Sequence, residues 1–547
     1  MTNGADAIVE IAGLSIATLG GKRVIDDLSI EILAGENRAL VGESGSGKTT
    51  LALALMGRIR SGLVHEAGSI VVDGADVLSL KGSSLRRYRA ETVSWLSQDP
   101  ALSLTPHMTV RTLLSESAPM DDEDALGLLG RVGLSGVKGL LDRRPRSLSG
   151  GQRRRVAIAK AIAPKPRVLI LDEPTAGLDE AAANEVVATI RGICSESGMS
   201  VVAITHDLDV AGKFAESVTV LQEGRVLETV SHSELMGSPK TDYARKLVDA
   251  QRLERRPRDE VDSSAGAPVL SASGFDVVTP DGKVAARNAA FSINHGRGLS
   301  LFGPSGSGKS TIVRAITGER PAEKGSATLD LGDGDLHVLA PSFKDRSQTE
   351  LAAVQTVPQD PATSLNPALC VDTQLSRAVR RVHPRWSRKE VRERVSELLA
   401  LTRLPDEIKR QHPRSLSGGQ AQRVAVARAL AHEPKVLVCD ESTSALDPTT
   451  QKDILDTLNQ LKRNEGLALV VVTHAERVAR YTCEERIAVP FEGRCGGQGA
   501  GLTDCYHVAL RPVRRVAGLP GCRHAAIRPG CGDLKLVFRT SAGIEAF

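Results

Sequence analysis

Short, mostly apolar runs, three or four residues each, punctuate the chain at residues 38–41, 168–171, 201–204 and 299–302, and again at 436–438 and 470–472. Runs of that length, bounded by polar turns, predict strands buried on both faces, as in a parallel sheet. Residues 7–16 and 24–32 instead alternate, and predict strands joined at the Gly20-Gly21 turn. Residues 51–56 and 153–163 read as helices. Residues 102–141 carry Leu and Met at roughly helical spacing and predict a helical subdomain. Residues 218–221 and 224–226 predict a hairpin. Strands alternating with helices imply an α/β fold, mainly parallel.

The pattern occurs twice. Residues 98–100 (Gln-Asp-Pro) return as 359–361, 148–152 (Leu-Ser-Gly-Gly-Gln) as 416–420, and Thr205-His206 as Thr473-His474. A repeat of this size predicts two similar domains. Between them the composition changes. Residues 251–260 are polar and charged and 263–266 are small, which predicts a linker, helical at its start.

The chemistry centres on Gly42, Glu43, Ser44, Gly45, Ser46, Gly47, Lys48, Thr49 and Thr50, and on the second copy Gly303, Pro304, Ser305, Gly306, Ser307, Gly308, Lys309, Ser310 and Thr311. Each follows a predicted buried strand and opens a predicted helix, the context that a phosphate-binding loop requires. The glycines let backbone N–H groups turn inward around phosphate oxygens, and the helix start adds its positive end. Lys48 and Lys309 supply point charges. Thr49 and Ser310 supply hydroxyl oxygens for a hard cation such as Mg²⁺. Ser149, Gly150, Gly151 and Gln152, with Ser417, Gly418, Gly419 and Gln420, are expected to leave a helix start bare for an anion.

Composition narrows this picture. The 547 residues exceed one core and imply two to four domains. A net charge of +4 and only 3% aromatic residues give no nucleic-acid footprint and few stacking platforms. The Arg153-Arg154-Arg155 run reads as a charged helix face. No apolar run is long enough to span a membrane, and the N-terminal residues lack the pattern of a secretory signal. A cytosolic chain is expected to keep its eight cysteines as thiols.

In this order, the phosphate loop, Gln, Leu-Ser-Gly-Gly-Gln, apolar run ending in Asp-Glu, Leu-Asp and His resemble the ATP-binding cassette (ABC) ATPases. The resemblance covers residues 6–236 and 268–494. It implies two P-loop nucleotide-binding domains, each a RecA-like α/β core with a helical and an antiparallel β subdomain, joined by a linker at 237–267. It further implies ATP with Mg²⁺ held near Thr49, Gln98 and Asp172, and near Ser310, Gln359 and Asp440. Glu173 and Glu441 would orient and deprotonate the attacking water, and His206 and His474 would hydrogen-bond the γ-phosphate. In the family each signature caps the nucleotide on the opposite cassette, Ser149 over Lys309 and Ser417 over Lys48, with Asp179 and Asp447 linking the sites.

Residues 98–106 and 359–367 resemble the dipeptide, oligopeptide and nickel importer branch. That implies a peripheral subunit on the cytoplasmic face of the cell membrane, working with two integral membrane permease subunits and an extracytoplasmic solute-binding protein, without nucleic acid. Twin-cassette translation factors are the alternative, but they carry longer, strongly charged helical linkers. Twin-cassette DNA-repair ATPases carry paired cysteines within the cassettes, which this sequence lacks. Two departures stand out. Lys22 and Val284 occupy the approximate positions of the family's adenine-stacking ring. The tail at 495–547 scatters Cys495, Cys505, Cys522 and Cys531 among Gly, Ala, Arg and Pro, and is expected to order poorly.

Overall fold

The structure is a computed structural model, and it describes residues 7–43, 45–98, 103–176, 178, 180–253, 268–278, 284–303, 307–443, 446–489, 537–540 and 543–546. Ser44, Asp179, Pro304, Ser305, Gly306 and the tail cysteines lie outside these residues, as does 254–267 of the expected linker.

The short apolar runs form parallel sheets. In the first half the strand order is Arg225–Ser231, Ser217–Gln222, Asn37–Val41, Ser200–Ile204, Val168–Asp172, Val93–Leu96. All neighbours are parallel except the terminal hairpin. In the second half the order is Val354–Val357, Val436–Asp440, Ala468–Thr473, Gly298–Phe302, Glu485–Ala488, all parallel. The alternating segments form an antiparallel sheet in each half, built on Ala7–Thr18 with Arg23–Leu33, and on Pro268–Val278 with Val284–Asn294.

Side-chain alternation along the parallel strands divides each core into two layers. Val168, Ile170, Val202 and Ile204 pack with the antiparallel sheet. Leu169, Leu171, Val201 and Ala203 face the helices, including Val110–Ser117 and Asp122–Arg131 of the helical subdomain. The second half repeats the division, with Val436, Val438, Val470 and Val472 on one side and Leu437, Cys439, Leu469 and Val471 on the other. Burial on both faces explains why these strands read as unbroken apolar runs.

The repeat extends to a steric detail. Gly68 has φ +86°, and a Cβ there would sit 2.4 Å from the Gly13 carbonyl oxygen; Gly325 has φ +96°, and a Cβ would sit 2.6 Å from the same atom of Gly274. Both strand crossings need the missing side chain.

Residues 237–267 open on an ordered element, the Asp242–Arg252 helix, with Thr241 as its N-cap. In the tail, Val537–Thr540 pairs antiparallel with Gly543–Ala546, in a unit separate from residues 1–508.

Burial raises the Cys194 thiol to about 11 and that of Cys439 to about 12, so neither carries a reactive thiolate at neutral pH. In the folded chain at pH 7.5 both are expected to resist maleimide and to label after unfolding in urea. Rapid labelling of either in the native protein, read by peptide mass spectrometry, would contradict the packing.

Candidate functional site

Each phosphate loop leaves a buried strand and enters a helix that begins at its lysine, Lys48–Leu55 and Lys309–Thr317. Gly47 and Gly308 are the N-caps and have no side chain to offer, so the helix starts stay uncapped. At Gly42 a Cβ would lie 2.2 Å from the Leu221 carbonyl oxygen, and at Gly303 2.3 Å from that of Val489. The loops are wedged against their own sheets, and only glycine fits there.

The lysines are buried, 8% exposed at Lys48 and 3% at Lys309. Lys48 Nζ donates to the carbonyl oxygens of Gly42 (2.8 Å) and Glu43 (2.7 Å) and to Ser46 Oγ (3.1 Å). Burial pulls its pKa below the usual lysine range, while Glu173, Asp447, Asp172 and Glu43 oppose the shift. Lys309 Nζ donates to the Gly303 carbonyl (2.8 Å) and lies 3.6 Å from Glu441.

The carboxylates stand at the ends of the Val168–Asp172 and Val436–Asp440 strands. Asp172 is raised to about 6, mainly by burial and then by Glu173. Asp440 is also raised by burial, although Ser310 Oγ donates to its Oδ1 at 3.0 Å. A half-buried hydroxyl beside a carboxylate that resists its own charge is the donor set expected of a hard-cation site. Among the described residues, Ser307 Oγ is buried in the second loop with no hydrogen-bond partner.

Glu173 and Glu441 have φ of 51° and 46°, the left-handed region that side chains larger than glycine rarely enter. Their N–H groups donate to the Ile204 and Val472 carbonyls, which holds the strained turn. The same conformation recurs at the equivalent position of each half. Glu173 Oε1 accepts from the His206 backbone N–H (3.1 Å) and pairs with His206 Nδ1 (2.7 Å), and Thr205 Oγ1 donates to Oε2 (3.3 Å). Burial disfavours protonated His206, but Glu173 outweighs it and raises the imidazole pKa. The second site is looser. His474 Nδ1 is 3.9 Å from Glu441, and Gln359 Nε2 donates to Glu441 at 3.4 Å. The His474 bond still leads the causes that hold Glu441 low. Gln98 is exposed just past the Val93–Leu96 strand.

At the signatures, Ser149 Oγ accepts from Gln152 N–H (3.2 Å), and Ser149 N–H donates back to Gln152 Oε1 (3.0 Å); Ser417 and Gln420 do the same. The expected bare helix starts are therefore closed by capping boxes, because Gln stands three residues after Ser. Gly150 and Gly151 remain exposed, with nothing within 4 Å of an added Cβ.

Asp447, N-cap of the Pro448–Asn464 helix, stands close enough to the first phosphate loop to influence Lys48 and Glu43. Burial works against its charge, yet bonds from Thr449 and Thr450 and the nearby His206 keep it below the usual range. The second cassette thus brings a carboxylate within electrostatic reach of the first phosphate loop. Thr205 and Tyr243, whose Oη accepts from Glu43 N–H (2.7 Å), were not singled out from sequence. Lys22 is exposed in its turn and offers no ring; the Val284 side chain lies outside the described residues.

The ABC transporter family profile matches residues 25–176 and 286–444. The glutathione import ATP-binding protein GsiA of Pectobacterium atrosepticum is 32% identical over 543 residues, 89% of this chain and 85% of its own. The peptidoglycan transport ATP-binding protein YejF of Agrobacterium fabrum is 31% identical over 510 residues, 88% of this chain and 91% of its own. Among solved structures, cbiO1 from Clostridium perfringens, part of the ABC transporter complex cbiONQ, is 27% identical over 43% of this chain and 92% of its own, with a TM-score of 0.38.

The strain at Glu173 has a direct test. Glu173→Gly and Glu173→Ala both remove the carboxylate, but only glycine relaxes the backbone. The glycine variant is expected to be the more stable by about 1 kcal/mol, read by urea denaturation. An alanine variant of equal or greater stability would mean that the turn is not strained.

Proposed function

The chain belongs to the ABC transporter family, and from that premise we propose that it is the ATP-hydrolysing subunit that energises an importer of peptides or related small solutes. The observation that carries this reading is the duplicated set: a buried loop lysine, a hydroxyl–carboxylate pair, a strained glutamate and a histidine in each half. The extent of the match to the glutathione and peptidoglycan transport proteins supports the solute class.

In this reading the loop amides and lysines bind the ATP phosphates. Thr49, Asp172 and Gln98, and Ser310, Asp440 and Gln359, would hold Mg²⁺, which neutralises phosphate charge when bound. Glu173 and Glu441 accept a proton from water as its oxygen attacks the γ-phosphorus. The bond to the bridging oxygen breaks, and ADP and phosphate leave. His206 Nδ1, 2.7 Å from Glu173, would hold that carboxylate in place, and His474 would serve Glu441 in the same way. Ser149 and Ser417 would close on the nucleotide of the opposite cassette. Closure would be passed through the segments after Gln98 and Gln359 to two membrane subunits, with an extracytoplasmic protein delivering solute. Among the described residues no helix is long and apolar enough to cross a membrane; this reading has the chain work at the cytoplasmic face with separate membrane subunits.

Glu173→Gln with Glu441→Gln is expected to bind ATP and to lose turnover by about 10²-fold or more. Hydrolysis at the parental rate would remove both glutamates from their assigned role. Purification of the tagged chain in mild detergent is expected to bring down two polytopic membrane proteins in equal amount. Ribosomal proteins without any membrane partner would instead favour the translation-factor reading.

A further inference from the structure

The Asp242–Arg252 helix begins in one cassette and ends in the other. Tyr243, Ala244, Leu247 and Val248 lie in the core behind the terminal hairpin of the first cassette. Leu253, which follows the helix, is 4% exposed and belongs to the core of the second, and the helix packs along Pro448–Asn464. Leu253 is left-handed, with φ 41°, a conformation unfavourable for leucine that its burial holds in place.

Between these anchors the helix touches the first site twice. Near its start, Tyr243 Oη accepts the Glu43 N–H of the phosphate loop at 2.7 Å. Burial keeps this phenol protonated. Near its end, Gln251 is 3% exposed, and its Nε2 donates to Asp207 Oδ1 (3.0 Å) and Asp209 Oδ2 (2.9 Å). Asp207 directly follows His206 and caps the Leu208–Phe214 helix. The Gln251 carbonyl meanwhile accepts from Arg477 Nη1 at 3.2 Å, from the Glu476–Thr482 helix that follows His474. One residue therefore joins the segments behind both site histidines. An eleven-residue helix is a stiff rod of about 16 Å, so a displacement at Leu253 and Arg477 is carried to Tyr243.

We propose that this helix is a strut that sets the first phosphate loop according to how the second cassette is docked, with Tyr243 and Gln251 as positioning residues and Arg477 and Leu253 as its anchors. The strut ties the first phosphate loop, at Glu43, to the docking of the second cassette. The inference rests on the reading of that loop as an ATP site.

The test measures ATP dissociation constants on the full chain, in a Lys309→Ala background that isolates the first site and a Lys48→Ala background that isolates the second. Tyr243→Phe keeps the ring and removes one hydrogen bond. Arg477→Gln changes the other cassette, remote from the first loop. Each is expected to weaken the first site about two- to tenfold and to leave the second within about twofold. Together they should weaken it less than the product of their separate effects, because they act through one rod. Arg477→Lys, which keeps a donor, should restore the first site. Equal weakening of both sites, or no change in the first with either variant, would overturn the strut. Failure of the Lys309→Ala parent itself to bind ATP would remove the loop assignment, and the strut with it.

Discussion

A buried ammonium organises each half of this protein. Lys48 and Lys309 stand at the mouth of an apolar parallel sheet, where an unpaired charge would be very costly. The chain meets that constraint by wrapping loop carbonyls around each Nζ and ranging carboxylates beyond them. The wrap requires a loop pressed against the sheet, hence Gly42 and Gly303 against neighbouring carbonyls. It also leaves the helix start without a side-chain cap. A site that holds its ammonium group on loop carbonyls is thereby ready for the phosphates that would complete the neutralisation.

The two halves use the same parts at different tension. Glu173 is held by His206 and Thr205, whereas Glu441 lies between Lys309, Gln359 and a more distant His474. Ala475 cannot supply the cap that Asp207 gives its helix, and the Gln251 contact depends on that aspartate. One substitution between the repeats therefore accounts for part of the asymmetry around the histidines.

The parallel strands, phosphate loops and carboxylate pairs were legible in sequence because each is a local pattern written twice. Short apolar runs of three or four residues bounded by polar turns allow little else, and Gly-x-x-x-x-Gly-Lys admits few alternatives. The strained backbone at Glu173 and Glu441 was not legible, since no glycine marks a left-handed residue when the strain itself is retained. The Ser149–Gln152 capping box could have been read from the Ser-x-x-Gln spacing. The bridging helix was legible only as a helical start to the linker: Tyr243, Leu247, Val248 and Gln251 lie at helical spacing, but the polar residues after 251 gave no sign that it packs against both cassettes. Which cassette Leu253 enters is a tertiary fact that no local pattern carries.

The central claim is that one chain holds two ATP sites, each founded on its own buried lysine. Equilibrium binding of ATP to the whole chain under non-hydrolysing conditions tests it most directly. The account predicts two nucleotides per chain, one in Lys48→Ala or Lys309→Ala, and none in the double variant. A parent that binds only one, or a single variant that still binds two, would contradict it.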